Sequence, residues 1–380
     1  SLDSWDQSPS ATYLEKEMIK WITKQFGYKS TSDGTFTSGG TQSNYMGLLL
    51  ARDAFCYKKW AQNVQQDGLP SQFHKLRILC SEDAHFTVEK SAAQLGMGEQ
   101  AVIKIKTDNS HRMSIKHLKE QLKQLKANDL LPFALVGTCG TTDFGSIDPL
   151  DELARLAHQE KLWFHVDAAY GGALMLSESH KWKLEGISHA DSITVDFHKL
   201  FYQPISCGAF LVKDDQSFRF LNHHAEYLNP EEDEGEGIPN LVNKSILTSR
   251  RFDAFKLFLS LKTVGISYFS ELIDTTFLLA QETAEYLNQQ VDIKVENLTP
   301  ELNAVIFRYE PLDTCPDLCK LNRKIQQELL YEGSAAIAKT SVKGKTYLKF
   351  TMLNPRTKMM HVKEIVEEIL TLGKKWREHM

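Results

Sequence analysis

No apolar run in this 380-residue chain approaches the length that spans a bilayer, and no signal-peptide pattern stands at Ser1. A membrane partner is therefore not expected. The chain does not begin with Met, which leaves room for an upstream segment. Cysteine is sparse. The six are Cys56, Cys80, Cys139, Cys207, Cys315 and Cys319, without paired spacing, and no His/Cys cluster stands beside Cys315 and Cys319 to complete a zinc site. That pattern reads as reduced cysteines in a cytoplasmic protein, with no metal. A basic excess is also missing. Lys and Arg number 44 against 49 Asp and Glu, a net charge of -5, so nucleic acid is offered no electrostatic footprint. There is no internal repeat and no low-complexity tract. The one charge run, Glu231 to Gly237, lacks the ligand spacing of a calcium loop and reads as a solvated loop.

What remains is an ordinary globular composition, 42% hydrophobic and 24% charged, in a length that suits two domains and a large core. Leu14, Met18, Ile19, Ile22 and Phe26 recur at helical spacing, so an amphipathic helix is expected over 13–26, ended by a turn at Ser32 to Gly34. Thr37 to Asn44, rich in glycine and hydroxyls, feeds a helix expected over 45–59. From 76 to 212, apolar runs (76–80, 101–105, 133–136, 162–166, 192–195, 208–212) alternate with helical stretches near 86–96, 114–126 and 150–160. This alternation predicts an α/β domain with a mainly parallel sheet. Helices are expected next over 251–264 and 268–289. Strands at 303–309 and 347–353 with helices at 316–331 and 362–376 then make a smaller α+β domain.

In a parallel sheet the carboxyl ends of the strands meet at one edge, where ligands bind. One apolar run leads to His85, another to Gly140, Thr141 and Thr142, a third ends in Asp167, and a fourth leads through Asp196 and His198 to Lys199. A lysine held where a buried strand leaves the sheet, partly dehydrated, is what Schiff-base formation with an aldehyde needs. Thr37 to Asn44 has the N–H groups and hydroxyls to hold a phosphate at a helix N-terminus, and equally the makings of a plain capped helix start. Asp167 alone reads as a turn residue or as a partner for a ring nitrogen, and His85 as structural or as a stacking ring. Together, a histidine, an acid, a phosphate cup and a lysine at one sheet edge match the needs of pyridoxal phosphate.

The motifs carrying these residues resemble the group II pyridoxal-phosphate-dependent decarboxylases, which include aromatic-amino-acid, glutamate and diaminobutyrate decarboxylases. The matching segments are Ser8–Ala11, Phe36–Asn44, Ser81–His85, Gly140–Thr142, His165–Gly172 and Asp191–Lys199, spread in order over nearly the whole chain. The resemblance implies an aspartate-aminotransferase-like fold (fold type I), pyridoxal phosphate as cofactor, an amino acid substrate losing carbon dioxide, and a homodimer with active sites at the subunit interface. It implies Lys199 as the Schiff-base lysine, with His198 beside it near the cofactor or the substrate carboxylate. Asp167 becomes the ring-nitrogen partner, and Ala169 packs under the ring face opposite His85. Gly40 and Thr41 form the phosphate cup, Asp196 lies near the phosphate, and Thr142 lies near the ring hydroxyl and the reacting carboxylate. The implied domains are a remnant of an N-terminal segment (1–35), a large cofactor-binding domain (36–290) and a small C-terminal domain (291–380). The detail of Ser4–Pro9, Glu226–Pro230 and Ile238–Leu241 is most similar to the members that act on L-2,4-diaminobutyrate, which implies 1,3-diaminopropane as product.

Some positions depart from the family. Leu241 stands where a loop tyrosine often protonates the substrate carbon, and Lys349 where an arginine is common. Asp196 stands where Asn or Ser is usual, and its charge opposes a phosphate unless it is turned away or protonated. The N-terminal segment that lines the family's substrate pocket is represented only by 1–35. The acids from Glu231 to Glu236 offer either a field for a cationic substrate or only a solvated loop. Rival readings keep Lys199 and Asp167: another substrate of the family, an aminotransferase or carbon–sulfur lyase of the same fold, or an inactive dimerisation subunit.

Overall fold

The computed structural model describes residues 2, 5–223, 229, 232, 236–312 and 315–378. Ser4, most of Glu226–Pro230 and most of the acidic run from Glu231 to Glu236 lie outside the described residues. The chain forms two compact units, Ser1–Gly140 with Ile147–Ser270 and Thr141–Ser146 with Glu271–Met380.

The first unit opens with α1 (Pro9–Gln25), whose first residue is a proline, tolerated there because a helix's first N–H groups have no internal partner. Its apolar stripe is buried at Met18, Ile19 and Ile22. The turn that follows closes at Ser32, whose N–H donates to Lys29 O, and Asp33 already belongs to a strand, β1 (Asp33–Thr37). The expected turn at Ser32 to Gly34 is thus corrected. Gly34 is needed for closeness, because a Cβ there would stand 2.6 Å from Phe210 O. Next come α2 (Gly40–Trp60), α3 (Val64–Asp67), β2 (Leu76–Ser81), α4 (Thr87–Gln94), β3 (Val102–Ile105), α5 (Ile115–Ala127) and β4 (Leu131–Thr138). They are followed by α6 (Leu150–Glu160), β5 (Trp163–Asp167), β6 (Ser192–Asp196), β7 (Gly208–Val212) and α7 (Ala254–Val264). α2 starts at Gly40, earlier than its apolar pattern predicts, so Thr41 to Asn44 lie on its first turns rather than in a loop.

The sheet order is β1-β7-β6-β5-β4-β2-β3. From β6 to β3 every pairing is parallel, and β7 is antiparallel to both its neighbours. β7 runs backwards because Phe197–Cys207 is too short a link to hold the crossover helix that a parallel neighbour requires. Ile78, Leu135, Val136, Val166 and Ile193 are fully buried, as strands covered on both faces must be. Met46, Leu48 and Leu50 of α2 pack with Ile78, Val136 and Phe210 of the sheet, while Leu150 and Leu153 of α6 lie against Gly137.

The chain enters the second unit along α8 (Ile266–Asn288). That unit contains β8 (Ile293–Val295), β9 (Ala304–Tyr309), α9 (Leu318–Tyr331), β10 (Ala338–Val342), β11 (Lys345–Thr351) and α10 (Met359–Arg377). Its antiparallel sheet has the order β10-β11-β9-β8. Lys343 and Gly344, both with positive φ, make the tight turn between β10 and β11. Phe307, Leu321, Ile325, Leu348, Val366 and Ile369 share its core.

Candidate functional site

β2, β4, β5 and β6 are parallel, so their carboxyl ends deliver side chains to one edge. Asp196 is the last residue of β6, and the chain then turns, with Lys199 N–H donating to Asp196 O at 3.4 Å. This turn brings Lys199 Nζ within 3.5 Å of Asp196 Oδ2, and His198 Nε2 within 3.5 Å of the same oxygen. His198 Nδ1 accepts the N–H of Cys207, which orients the ring. The Lys199 side chain is 41% exposed. It lies past the strand in a tight turn, where the amine is open to a reacting molecule.

Asp196 is buried, and its Oδ1 accepts no hydrogen bond from the described residues. Burial pushes its carboxyl above the usual range, Asp167 adds to the rise, and Lys199 and His198 oppose it. Its neighbours are glycines. A Cβ on Gly40 would stand 3.1 Å from Asp196 Oδ2 and 3.3 Å from Ala169 Cβ. A Cβ on Gly39, whose φ is 145°, would stand 2.8 Å from His198 Cε1. Gly40, Ala169, Asp196 and His198 are thereby gathered in one place. Gly39 caps α2 without a side chain, so the first N–H groups of the helix are left for an anion, beside the exposed Thr41.

Asp167 ends β5 and is buried. Its Oδ1 accepts the N–H of Ala169 at 3.1 Å, and its Oδ2 accepts Asn44 Nδ2 at 2.7 Å. His85 is half-buried beyond β2, with Nδ1 2.9 Å from Thr87 Oγ1. Burial lowers the His85 pKa and Lys199 lowers it further, while Asp167 raises it. Sequence reasoning missed Asn44, Thr87, His165, Ser192 and Thr194 as site residues. A signal was present. His165 and Asp167 alternate on one face of β5, opposite Ser192 and Thr194 of β6, in strands that are otherwise apolar. Leu241 is buried and carries no titratable proton.

Thr142 lies in the second unit, exposed, with its carbonyl accepting from Lys349 Nζ. Lys349 is itself buried. Burial lowers its pKa, and Asp143, 3.9 Å away, opposes the change.

Pyridoxal phosphate fits what these residues offer. The glycine cradle and uncapped helix end suit a phosphate. Asp167 offers a carboxylate to a ring nitrogen, and Lys199 an open amine to an aldehyde. The comparisons agree. Residues 2–310 match the pyridoxal-dependent decarboxylase conserved domain. The chain is 40% identical to an L-2,4-diaminobutyrate decarboxylase of Acinetobacter baumannii, over 97% of this chain and 74% of that protein. It is 39% identical to an L-2,4-diaminobutyrate decarboxylase of Rhizobium meliloti, over 100% of this chain and 74% of that one. A crystal structure from Vibrio parahaemolyticus superposes with a TM-score of 0.88 at 41% identity, covering 99% of this chain and 75% of that one. It is of the glutamate decarboxylase domain of diaminobutyrate-pyruvate transaminase and L-2,4-diaminobutyrate decarboxylase. With the aspartate-aminotransferase-like sheet, the strand-end acid and lysine and this extent of likeness, the chain belongs to the pyridoxal-dependent decarboxylase family and is a pyridoxal-phosphate-dependent amino acid decarboxylase.

Proposed function

We propose that the substrate is L-2,4-diaminobutyrate, converted to 1,3-diaminopropane and carbon dioxide. The observation that carries this is the identity of 40% and 39%, over almost the whole chain, to two relatives that bear that activity in their names. The first turn of α2, with Gly40 and Thr41, binds the phosphate through N–H groups. Burial pushes the Asp196 carboxyl above its usual range, which lessens its opposition to a phosphate. Asp167 holds a proton on the ring nitrogen, and Ala169 and His85 take the two ring faces. When bound, the cofactor supplies a ring that accepts the electron pair left as the Cα–carboxylate bond breaks. Lys199 Nζ would hold the cofactor through its aldehyde, the chemistry an open amine supplies. His198 orients the departing carboxylate, and orientation decides loss of carbon dioxide over loss of a proton. Leu241 has no proton to give to the Cα.

The same reading assigns 36–290 to cofactor binding, 291–380 to a small domain and 1–35 to the end of an N-terminal segment. It makes the working enzyme a cytoplasmic homodimer with its active sites at the subunit interface. An apolar stripe uncovered on α7 supports the dimer, with Phe255 44% and Leu259 50% exposed. Sedimentation as a single 43.3 kDa species would count against it.

The test is carbon dioxide release from a panel of diaminobutyrate, ornithine, lysine, glutamate and aromatic amino acids. Diaminobutyrate is expected to show the highest kcat/KM, and a faster rival substrate, or a keto acid product, overturns the reading. Lys199→Ala is expected to abolish borohydride-dependent cofactor attachment, and retained attachment rejects the role of Lys199.

A further inference from the structure

We infer that Asn44 is the positioning residue that orients the Asp167 carboxylate and fixes which nitrogen carries the hydrogen on His85 and His165. Asn44 lies on the second turn of α2 and is buried. Its Nδ2 donates to Asp167 Oδ2 at 2.7 Å and to Thr87 Oγ1 at 3.0 Å. Its Oδ1 accepts from Thr194 Oγ1 at 2.8 Å and faces His165 Nε2 at 2.9 Å. Both amide hydrogens and both lone pairs are therefore in use. An ionised carboxylate only accepts, so the NH₂ must face Asp167, and the amide cannot be turned round. His165 Nε2 must then carry a hydrogen.

The far end of the chain gives the same direction. Trp163 Nε1, which can only donate, is 2.9 Å from Ser192 Oγ, and Ser192 Oγ is 2.8 Å from His165 Nδ1. The Ser192 hydroxyl accepts from Trp163, and with the hydrogen of the neutral ring on Nε2 it donates to His165 Nδ1. Every bond from Trp163 through Ser192, His165 and Asn44 to Asp167 points its hydrogen toward the carboxylate. A branch reaches His85. Thr87 Oγ1 accepts from Asn44, which leaves its own hydrogen for His85 Nδ1 at 2.9 Å, and Thr87 N–H points at the same nitrogen at 3.4 Å. Two donors converge on His85 Nδ1, so the neutral ring carries its hydrogen on Nε2. Burial lowers the pKa of both rings, His165 to about 4, in keeping with one hydrogen on each.

The consequence for catalysis rests on the reading of Asp167 and His85 as cofactor contacts. With that reading, one amide donates to the ring-nitrogen partner and sets the tautomer of the stacking histidine. A static scaffold residue would hold the same atoms in place without dictating that tautomer.

The experiment is nitrogen NMR on cofactor-free protein labelled at histidine. At pH 7, His85 and His165 are expected to be neutral, each with hydrogen on Nε2. Thr87→Val keeps the shape and removes one hydroxyl. It is expected to make His85 titrate at higher pH and to leave His165 unchanged. Ser192→Ala is expected to disturb His165 and spare His85. Hydrogen on Nδ1 of either ring in the parent protein overturns the inference, and so does a Thr87→Val change that appears at His165 instead. Asn44→Ala, in a second measurement, is expected to weaken pyridoxal phosphate binding by roughly 10- to 100-fold, the loss of a hydrogen bond to a charged group. A parent protein that takes up no pyridoxal phosphate would reject the cofactor reading, while the tautomers would still judge the Asn44 inference.

Discussion

Lowering the pH from 7 to 4 is expected to cost the first unit about 3 kcal/mol of stability through the single ring of His165. The ring is fully buried, and burial pushes its pKa from 6.5 to about 4 against the opposing pull of Asp167. The unfolded chain leaves this histidine free to titrate near 6.5. Below that pH the unfolded state binds a proton that the folded state refuses until about pH 4. Stability is therefore full above 6.5 and falls as the pH drops, by about 1.4 kcal/mol per pH unit at the steepest. A loss of about 3 kcal/mol is a large share of a typical domain's total of about 5–15 kcal/mol. His165→Gln removes the titration and keeps a nitrogen donor for Asn44. Other groups with shifted pKa, His85 lowered and Asp191 and Asp196 raised, are common to parent and variant and cancel in the comparison. The assay is urea unfolding at several pH values, followed by tryptophan fluorescence. Trp5, Trp21, Trp60, Trp163 and Trp182 belong to the first unit and only Trp376 to the second, so the signal reports chiefly the unit that holds His165. The parent is expected to lose about 3 kcal/mol more than His165→Gln between pH 7 and pH 4, at similar m values. Parallel curves for the two proteins refute the reasoning.

Further outcomes follow from other contacts. Glu15, fully buried, accepts from Arg250 Nη1 at 2.8 Å, from Phe36 N–H at 3.0 Å and from Thr35 Oγ1 at 3.2 Å. Glu15→Gln leaves the Arg250 cation without its counter-charge and is expected to destabilise by about 3–5 kcal/mol, read as a lower urea midpoint. A midpoint equal to the parent's would show that the pair is dispensable. Gly39→Ala adds a Cβ 2.8 Å from His198 Cε1 at a φ of 145°. Strain of about 1–3 kcal/mol is expected to raise the cofactor Kd by roughly 10- to 100-fold in an absorbance titration, and unchanged binding would mean the cradle yields freely. Lys349→Met keeps the buried stem and removes the amine that holds Thr142 O. Hydrogen exchange across Thr141–Ser146 is expected to quicken, and no change would assign the order of that segment to other contacts.

The apolar runs of β2, β4, β5, β6 and β7 were legible because strands buried on both faces have no room for polar alternation. Other elements were not. β10 is largely exposed and polar, with only Val342 buried, and β8 has three residues, so neither carries a periodic signal. β1 begins at an Asp-Gly pair that locally reads as a turn, and only its pairing with β7 makes it a strand. α2 begins at Gly40, earlier than its apolar pattern predicts, because Gly40 to Asn44 have the composition of loop residues. Gly47 in the middle of that helix makes sense only in three dimensions, since a Cβ there would stand 2.6 Å from the ring of His165.

By itself the sequence determined the α/β alternation, the strand ends that bear His85, Asp167 and Lys199, and the glycine-rich cup before α2. These are local facts, set by burial, turn chemistry and the direction of a parallel strand. Tertiary structure alone decided which groups those side chains answer to. Asn44 and His165 are 121 residues apart and meet because α2 lies across β5 and β6. The Asp196 charge is a puzzle in the sequence. Folding buries it under glycines beside a lysine and a histidine, where desolvation favours its protonated form. Proton positions depend on burial and on the nearest partner, and both come from residues that the chain brings together only when it folds.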